Sequence, residues 1–468
     1  MKTFELTYRQ LPETMYTDIR PVPVKAPRII IFNEELADFL GLDKEIWRDP
    51  AILSGNQMVP DTEPLAQAYV GHQFGYPAML GDGRAHLIAE VIASDDVRHD
   101  IQLKGSGRTP YSRGGDGRAG VGPMLREYLV SEAMHALGIP TSRSLAVVET
   151  GEPVMRDQVE RGAILTRVAK SHIRVGTFQY ALYQGVIKEV ADYTIERHDP
   201  ECKKDNNPYL CLYQNIVQRQ AHLIADWQAI GFIHGVMNTD NMALSGETID
   251  YGPCAFMDIY RHDQVFSSID RGGRYRYKQQ PLIAKWNLAR LGETLIPLVD
   301  QEEEIAADKI RDVLDTFDQA FAEAWLEKFS KKLALPGLPT DEPFIKAFLD
   351  LLESEEKDFT NSFNALTDHP EDKLFTSEAG RAWQEKWRQR VTATVGFEEA
   401  QAIMKATNPR VIPRNIQLQD ALDAAEAGNM EPFNTMLAIV KDPFAEHVPD
   451  AFLEPTPKYH HFVTYCGT

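Results

Sequence analysis

The segment His234-Gly235-Val236-Met237-Asn238-Thr239-Asp240-Asn241, followed ten residues after Asp240 by Asp250-Tyr251-Gly252, decides how the rest of the chain is read. An amphipathic helical pattern from Asn215 to Ile230 precedes it, and short strand-like stretches at 242–244 and 248–251 predict a strand pair after it. An Asn and an Asp on neighbouring strand ends offer oxygen donors to one divalent cation that bridges phosphate oxygens. Polar turn capping accounts for either piece alone, but not for both in this order and spacing.

Working toward the N-terminus, residues 86–92 are apolar and partly β-branched, and Ser94-Asp95-Asp96 reads as a turn. Val97, His99, Ile101 and Leu103 then alternate with Arg98, Asp100, Gln102 and Lys104, which predicts a hairpin whose second strand ends at Lys104. Gly81-Asp82-Gly83-Arg84 stands before this hairpin, either as a tight turn or as a backbone approach to phosphate with Arg84 beside it. The Gly-rich GSGRTPYSRGGDGRAGVG (105–122) follows, then a helix with Pro123 in its first turn, Leu125, Leu129, Ala133 and Leu137 on one stripe, and Gly138 as its stop. Two more strands are predicted at 144–149 and 162–169, joined by a turn at Thr150-Gly151-Glu152. Residues 1–60 read as an extended, Pro-containing lead with one short helix near 34–40, and the chain from Leu298 on reads as acidic and helical. Strands with one helix first and helices afterwards predict an α+β architecture in two lobes.

The order of these pieces recurs in protein-kinase-like enzymes. Lys104 at a strand end, with Glu127 or Glu132 on the next helix, matches the ion pair that touches nucleotide phosphates there. Asp250-Tyr251-Gly252 takes the place of the metal-binding Asp-Phe-Gly. One position departs. The catalytic-loop Asp of a kinase stands five residues before the metal-binding Asn, and counting back from Asn241 gives Val236, which accepts no proton. Either no chemistry occurs, or the base lies elsewhere and Asp240 is the alternative carboxylate. Arg108, Arg113, Arg118, Arg167 and Arg174 supply cations of the kind that clamp phosphate, with Arg167 and Arg174 favoured.

The chain of 468 residues is 43% hydrophobic and 25% charged, enough for a substantial core. Its 49 Lys+Arg against 69 Asp+Glu give a net charge of −20, which disfavours broad nucleic-acid binding or docking on an anionic membrane. Residues 101–180 nevertheless carry 11 Lys/Arg against 7 Asp/Glu, a local basic excess that points to an anion site. Cys202, Cys211, Cys254 and Cys466 form no CxxC pair and no zinc spacing, so reduced thiols in a cytoplasmic protein are expected. No signal-peptide pattern and no run approaching ~18 apolar residues is present.

The strings QAYVGHQFGYPAMLGDGRA (67–85), IQLKGSGRTPYSRGGDGRA (101–119), REYLVSEAMHALGIPTSRSLA (126–146), HGVMNTDNM (234–242) and DYGP (250–253) closely resemble the selenoprotein O (SelO) family. The resemblance implies a pseudokinase fold that transfers AMP from ATP to protein Ser, Thr or Tyr hydroxyls, with the nucleotide inverted relative to ordinary kinases; UMP transfer from UTP is described for some members. It further implies nucleotide contacts from Gly81, Gly83, Arg84, Lys104, Asp116, Gly117, Arg167, Arg174 and Asp250, and Glu127 as the Lys104 partner. Asp240 becomes the proton acceptor, with Asn241 and Asp250 as ligands of Mg²⁺ or Mn²⁺. A Cys near the C-terminus is linked to redox control in the family; Cys466 fits that position, but the stretch after DYGP, RHDQVFSSID, lacks the partner Cys of some members. The pair His460-His461 reads as part of an exposed tail rather than a metal site.

The expected organisation is therefore an N-terminal extension (1–78), a kinase-like N-lobe (79–175), a kinase-like C-lobe (176–335) and a helical C-terminal extension (336–468). The expected activity is metal-dependent protein adenylylation by a monomer, with ATP and hydroxyl-bearing proteins as partners and neither nucleic acid nor membrane among them. A phosphotransferase and a non-catalytic ATP-binding scaffold are the alternatives.

Overall fold

The computed structural model describes residues 4–456 and 462–465. Its centre is an eight-stranded, wholly antiparallel sheet, which with the many helices around it makes a mixed α/β protein. From edge to edge run Tyr16–Asp18, Leu65–Gln67, Ala85–Ile92, Arg98–Lys104, Val159–Ala169, Arg143–Met155 and Arg28–Phe32, with Ala119–Gly120 also on Val159–Ala169. The lead segment thus supplies both edge strands. Besides the helix Glu34–Leu40 it folds the short helices Lys44–Trp47 and Pro50–Leu53, which the reading of an extended lead had missed. Asp43 and Asp49 each cap one of these by accepting from a backbone N–H, a local signal that one turn of helix barely reveals.

Alternation along Arg98–Lys104 sets the two faces of the sheet. Ile101 and Leu103 join Leu36, Leu40, Trp47 and Leu53 in one apolar cluster. Asp100, Gln102 and Lys104 project to the opposite face, yet they are buried as well. A polar face that does not reach water needs partners inside the protein. On that same side, the helix Val121–Ala136 is buried nearly all round, against Arg143–Met155 beneath it and the C-terminal helices Asn415–Glu426 and Glu431–Val440.

Three local expectations are corrected. The strand predicted over 144–149, with a turn at 150–152, runs on to Met155: Gly151, at φ 71°, sits within it, and the hairpin closes at Arg156–Gln158. The helix expected from Asn215 begins at Pro208, because Asn207 accepts from Leu210 N and Pro208 takes the first turn. Residues 242–244 and 248–251 do not pair with each other; Ala243 bridges to Arg174 and Thr248 to Thr141. Their backbone groups are claimed by Ile173, Val175, Pro140 and Ser142 instead, which pulls Arg174 toward the Asn241 loop.

The cysteines bring a fourth correction. Cys202 and Cys211 are joined in a disulfide rather than held as thiols, since the short turn Pro200–Lys204 folds back on the start of Pro208–Ala229 and leaves their Cα atoms 5.6 Å apart. Cys254 is a buried free thiol. Cys466, with His460 and His461, lies outside the described residues. Among those described, no helix is long and apolar enough to cross a membrane.

Candidate active site

The 234–252 segment is pinned by buried polar side chains. His234 faces Ile249 O through Nε2 at 2.9 Å and Val236 N through Nδ1 at 3.4 Å. A carbonyl only accepts and an amide N–H only donates, so the ring is the neutral Nε2–H tautomer, consistent with burial lowering its pKa. It ties the start of the loop to the residue before Asp250. Asn241 Nδ2 donates to Val236 O at 2.9 Å, closing the loop on itself and leaving the lone pairs of its Oδ1 for a cation.

A second strap comes from the hairpin of Val70–Gln73 and Tyr76–Met79. His72 N donates to Thr239 Oγ1 at 2.7 Å, and Phe74 N to Asn238 Oδ1 at 3.2 Å. Tyr275 OH completes the tie by donating to the same Asn238 oxygen at 2.7 Å. Gly71 lies directly under Asp240: a Cβ there would stand 2.1 Å from Asp240 Oδ1. That oxygen is buried without a hydrogen-bond partner. Burial pushes the Asp240 carboxyl up to about 6, against the pull of Arg174 and Arg113.

In the same cavity as Asp240 the charged residues converge. Lys104 Nζ lies 2.6 Å from Glu127 Oε2 and 2.8 Å from Asp250 Oδ1. Glu132 is engaged elsewhere, by Arg143. Arg167 Nη1 reaches Asp250 Oδ1 at 2.6 Å and Glu127 Oε1 at 3.2 Å, and Arg174 Nη2 pairs with Asp250 Oδ2 at 3.6 Å. Arg174 also sits over the Tyr69 ring, its guanidinium carbon 4.4 Å from the ring centre. Burial alone would raise the Asp250 carboxyl, but Arg167, Lys104 and Arg174 hold it well below the usual carboxylate range. Its backbone is left-handed, at φ 62°, an uncommon state for a non-glycine residue and one that clusters at functional sites.

Lys104, Arg167, Arg174, Asp240, Asn241 and Asp250 line a cavity of about 560 Å³, shared with Gly81, Gly83, Arg84, Asp116 and Gly117. The glycines of Gly81-Asp82-Gly83-Arg84 are required by the protein's own packing: a Cβ would stand 2.5 Å from the Tyr111 ring at Gly81 and 2.9 Å from Tyr111 O at Gly83. Thr109 Oγ1 fastens the same turn to the Gly-rich loop by donating to Asp82 O at 2.7 Å. At Gly117, φ 70°, a Cβ would meet the Gly107 carbonyl at 2.2 Å. Asp116, near the rim, is bidentate with Arg156 and accepts from Arg118 N; its carboxyl is held at about 2 by the Arg156 hydrogen bonds. Arg113 and Arg118 line the cavity too, but Arg118 is spent partly on Val22 O and Pro23 O.

The donors facing this space fit a hard divalent cation. Asn241 Oδ1 and the Asp250 carboxylate are oxygens, and among the described residues no Cys or His lines the cavity. Such a donor set suits Mg²⁺ or Mn²⁺ and not a zinc centre. Sequence reasoning missed Gly71, Tyr69 and the 70–79 hairpin, whose only signals are a small residue and aromatics in a stretch that carries no phosphate chemistry of its own. It also missed Asp82 and Gln102, which read as a turn residue and the polar side of a strand.

Comparison with known proteins follows the same residues. Residues 1–441 match the family model described as "Protein adenylyltransferase SelO". The protein nucleotidyltransferase YdiU of Geobacillus kaustophilus is 50% identical over 99% of this chain and 99% of its own length. Those of Shouchella clausii, at 49% over 99% and 98%, and of Clostridium beijerinckii, at 50% over 99% and 97%, are similarly related. The chain therefore belongs to the SelO family and is an enzyme of the nucleotidyltransferase class.

Proposed function

We propose that the protein transfers AMP from ATP to Ser, Thr or Tyr hydroxyls of other proteins and releases pyrophosphate. The observation that carries this reading is the convergence of Lys104, Arg167 and Arg174 on Asp250 in a cavity that Asp240 also lines. The sheet and the helices behind the cavity serve as the two lobes of a kinase-like fold, divided near residues 175 and 335, with the strands before residue 78 completing the sheet of the first lobe.

In this reading Asp240 takes the proton of the acceptor hydroxyl. With a carboxyl raised to about 6, it is ionised at neutral pH and still a better base than an exposed aspartate. The hydroxyl oxygen attacks the α-phosphorus, the bond to the bridging oxygen breaks, and pyrophosphate carries away the electron pair. Lys104, Arg167 and Arg174 meet the charge that gathers on the phosphates, in a site where burial strengthens each contact. Glu127 keeps Lys104 extended toward the phosphates. Asn241 and Asp250 would hold Mg²⁺ or Mn²⁺, which when bound neutralises phosphate charge. Gly81, Gly83 and Arg84 then border the phosphates, with Asp116 and Gly117 at the far rim of the same cavity. The choice of the α- over the γ-phosphorus rests on family membership; a base four residues after Val236 supports it, since inverting the nucleotide relocates the acceptor.

The test is mass spectrometry of peptides from a nucleotide-depleted protein extract incubated with the protein, ATP and Mg²⁺. AMP on Ser, Thr or Tyr is the expected product. Peptides carrying phosphate alone, or UMP in preference when UTP competes, would overturn the assignment, and no covalent product under any condition would reduce the protein to a nucleotide-binding scaffold.

A further inference from the structure

Four buried side chains, Arg167, Gln102, Asp82 and Arg174, close a circuit through the partly exposed Asp250 at the inner end of the cavity. Asp250 Oδ1 accepts from Arg167 Nη1 at 2.6 Å, and Arg167 Nη2 donates to Gln102 Oε1 at 2.6 Å. Gln102 Nε2 donates to Asp82 Oδ2 at 3.1 Å, Asp82 Oδ1 pairs with Arg174 Nη1 at 3.6 Å, and Arg174 Nη2 returns to Asp250 Oδ2 at 3.6 Å. The backbone fixes the far side of this circuit. Gln102 and Arg167 are directly opposite in the sheet register, and Gln67 N anchors Asp82 Oδ2 at 3.1 Å.

The two halves of the circuit differ. Asp250 reaches the cavity, with 22% of its side chain exposed, and holds one end of each arginine. Asp82 and Gln102 hold the other ends and are 2% and 0% exposed. Any anion that the arginines bind must compete with Asp250 for Nη1 of Arg167 and Nη2 of Arg174. When those contacts exchange, two buried guanidinium groups remain, each with an Nε that has no partner. Without the contacts behind them, Arg167 would keep only Glu127 and Arg174 only the Tyr69 ring, and each guanidinium could tilt out of line. The amide direction of Gln102 is dictated as well: arginine only donates, so the oxygen faces Arg167 and the NH₂ faces the Asp82 carboxylate.

We propose that Asp82 and Gln102 are positioning residues that keep Arg167 and Arg174 aimed at the phosphates while their contacts to Asp250 exchange. This extends the adenylyltransferase reading and rests on it. It gives the Asp of Gly-Asp-Gly-Arg a task that the flanking glycines and Arg84 do not have.

The test uses the full chain with Gln102→Leu, Gln102→Glu and the double variant Gln102→Glu/Asp82→Asn. Two readouts are taken: kcat and KM for AMP transfer, and the stoichiometry and Kd for α,β-methylene-ATP with Mg²⁺. Gln102→Leu should lower kcat about 10–100-fold, with the binding stoichiometry unchanged and KM within about threefold. Gln102→Glu sets two carboxylates side by side and should be at least as poor. The double variant reverses the hydrogen bond and restores the charge count, so it should recover about tenfold in kcat over Gln102→Glu; recovery stops short of wild type because Gln67 N–H then faces an NH₂. Unchanged kcat in Gln102→Leu, or a double variant no better than Gln102→Glu, would overturn the proposal. So would a kcat loss matched by lost binding stoichiometry, which signals misfolding rather than misalignment. Wild type that binds the analogue but transfers nothing would defeat the functional reading instead.

Discussion

Replacing Gly71 by alanine tests whether the Asp240 carboxylate works where the hairpin presses on it. The added Cβ would stand 2.1 Å from Asp240 Oδ1 and 2.6 Å from Leu80 Cδ1, where ordinary contact starts at 3.4 Å. Either the carboxylate or the hairpin must retreat by about 1 Å, and a shift of that size in a catalytic group costs about 10²-fold in rate, or about 2.7 kcal/mol. Overpacking adds a stability cost of about 1–3 kcal/mol, which a chain of this size tolerates. The assay is steady-state transfer from α-labelled ATP, beside equilibrium binding of a non-transferable ATP analogue. Gly71→Ala should lose about 10²-fold in kcat and bind the analogue within about threefold of wild type. Gly272→Ala is the control, since its Cβ would meet nothing within 4 Å. A Gly71→Ala enzyme with normal kcat would refute the placement of Asp240 as the proton acceptor.

Three further outcomes follow from the same structure. Asp240, raised to about 6 by burial, must be ionised to accept a proton, so kcat/KM should fall as pH drops through 6 or slightly below, where bound metal shifts the limb; Asp240→Asn should abolish the limb along with the rate. Lys332 is buried with its ammonium 4.1 Å from the centre of the Phe363 ring, and burial lowers it from 10.5 to about 7. The unfolded chain therefore holds this proton between those values while the native one does not, and stability to urea should rise by about 1 kcal/mol per pH unit from pH 7 toward 10; Lys332→Met should flatten the rise, and an unchanged slope would refute it. Removing the Cys202–Cys211 crosslink, which spans a sequence separation of 9, should lower stability by about 2–3 kcal/mol in Cys202→Ser/Cys211→Ser; a melting curve unmoved by the change would contradict this.

What the sequence disclosed depended on how local the determining forces are. The Ala85–Ile92 and Arg98–Lys104 strands, the Val121–Ala136 helix and the short helix Glu34–Leu40 carry their periodicity and stop signals within their own residues. The edge strands Tyr16–Asp18 and Arg28–Phe32 escaped notice because their partners lie some 50 and 117 residues away, at Leu65–Gln67 and Arg143–Met155. The Thr150-Gly151-Glu152 turn signal was real but weak, as a glycine of positive φ serves a bulge as readily as a hairpin end. Within the site, the motif residues other than Glu127 line one cavity, with Glu127 held against Lys104, and the choice between Glu127 and Glu132 came down to a helical phase that only packing sets: Glu132 meets Arg143 on the neighbouring strand. Asp82, Gln102 and Gly71 were illegible for a different reason. Each acts on a charged neighbour far along the chain, and nothing in its own surroundings marks it.

Adenylyl and phosphoryl transfer differ in which phosphorus the acceptor hydroxyl attacks. The direct measurement incubates the protein with Mg²⁺, acceptor proteins and ATP labelled at either the α- or the γ-phosphate, beside Asp240→Asn and Asp250→Ala. The account predicts label from the α-phosphate in protein, pyrophosphate released in equal amount, no label from the γ-phosphate, and neither product from the two variants. Label entering protein from the γ-phosphate, or undiminished incorporation by Asp250→Ala, would contradict it.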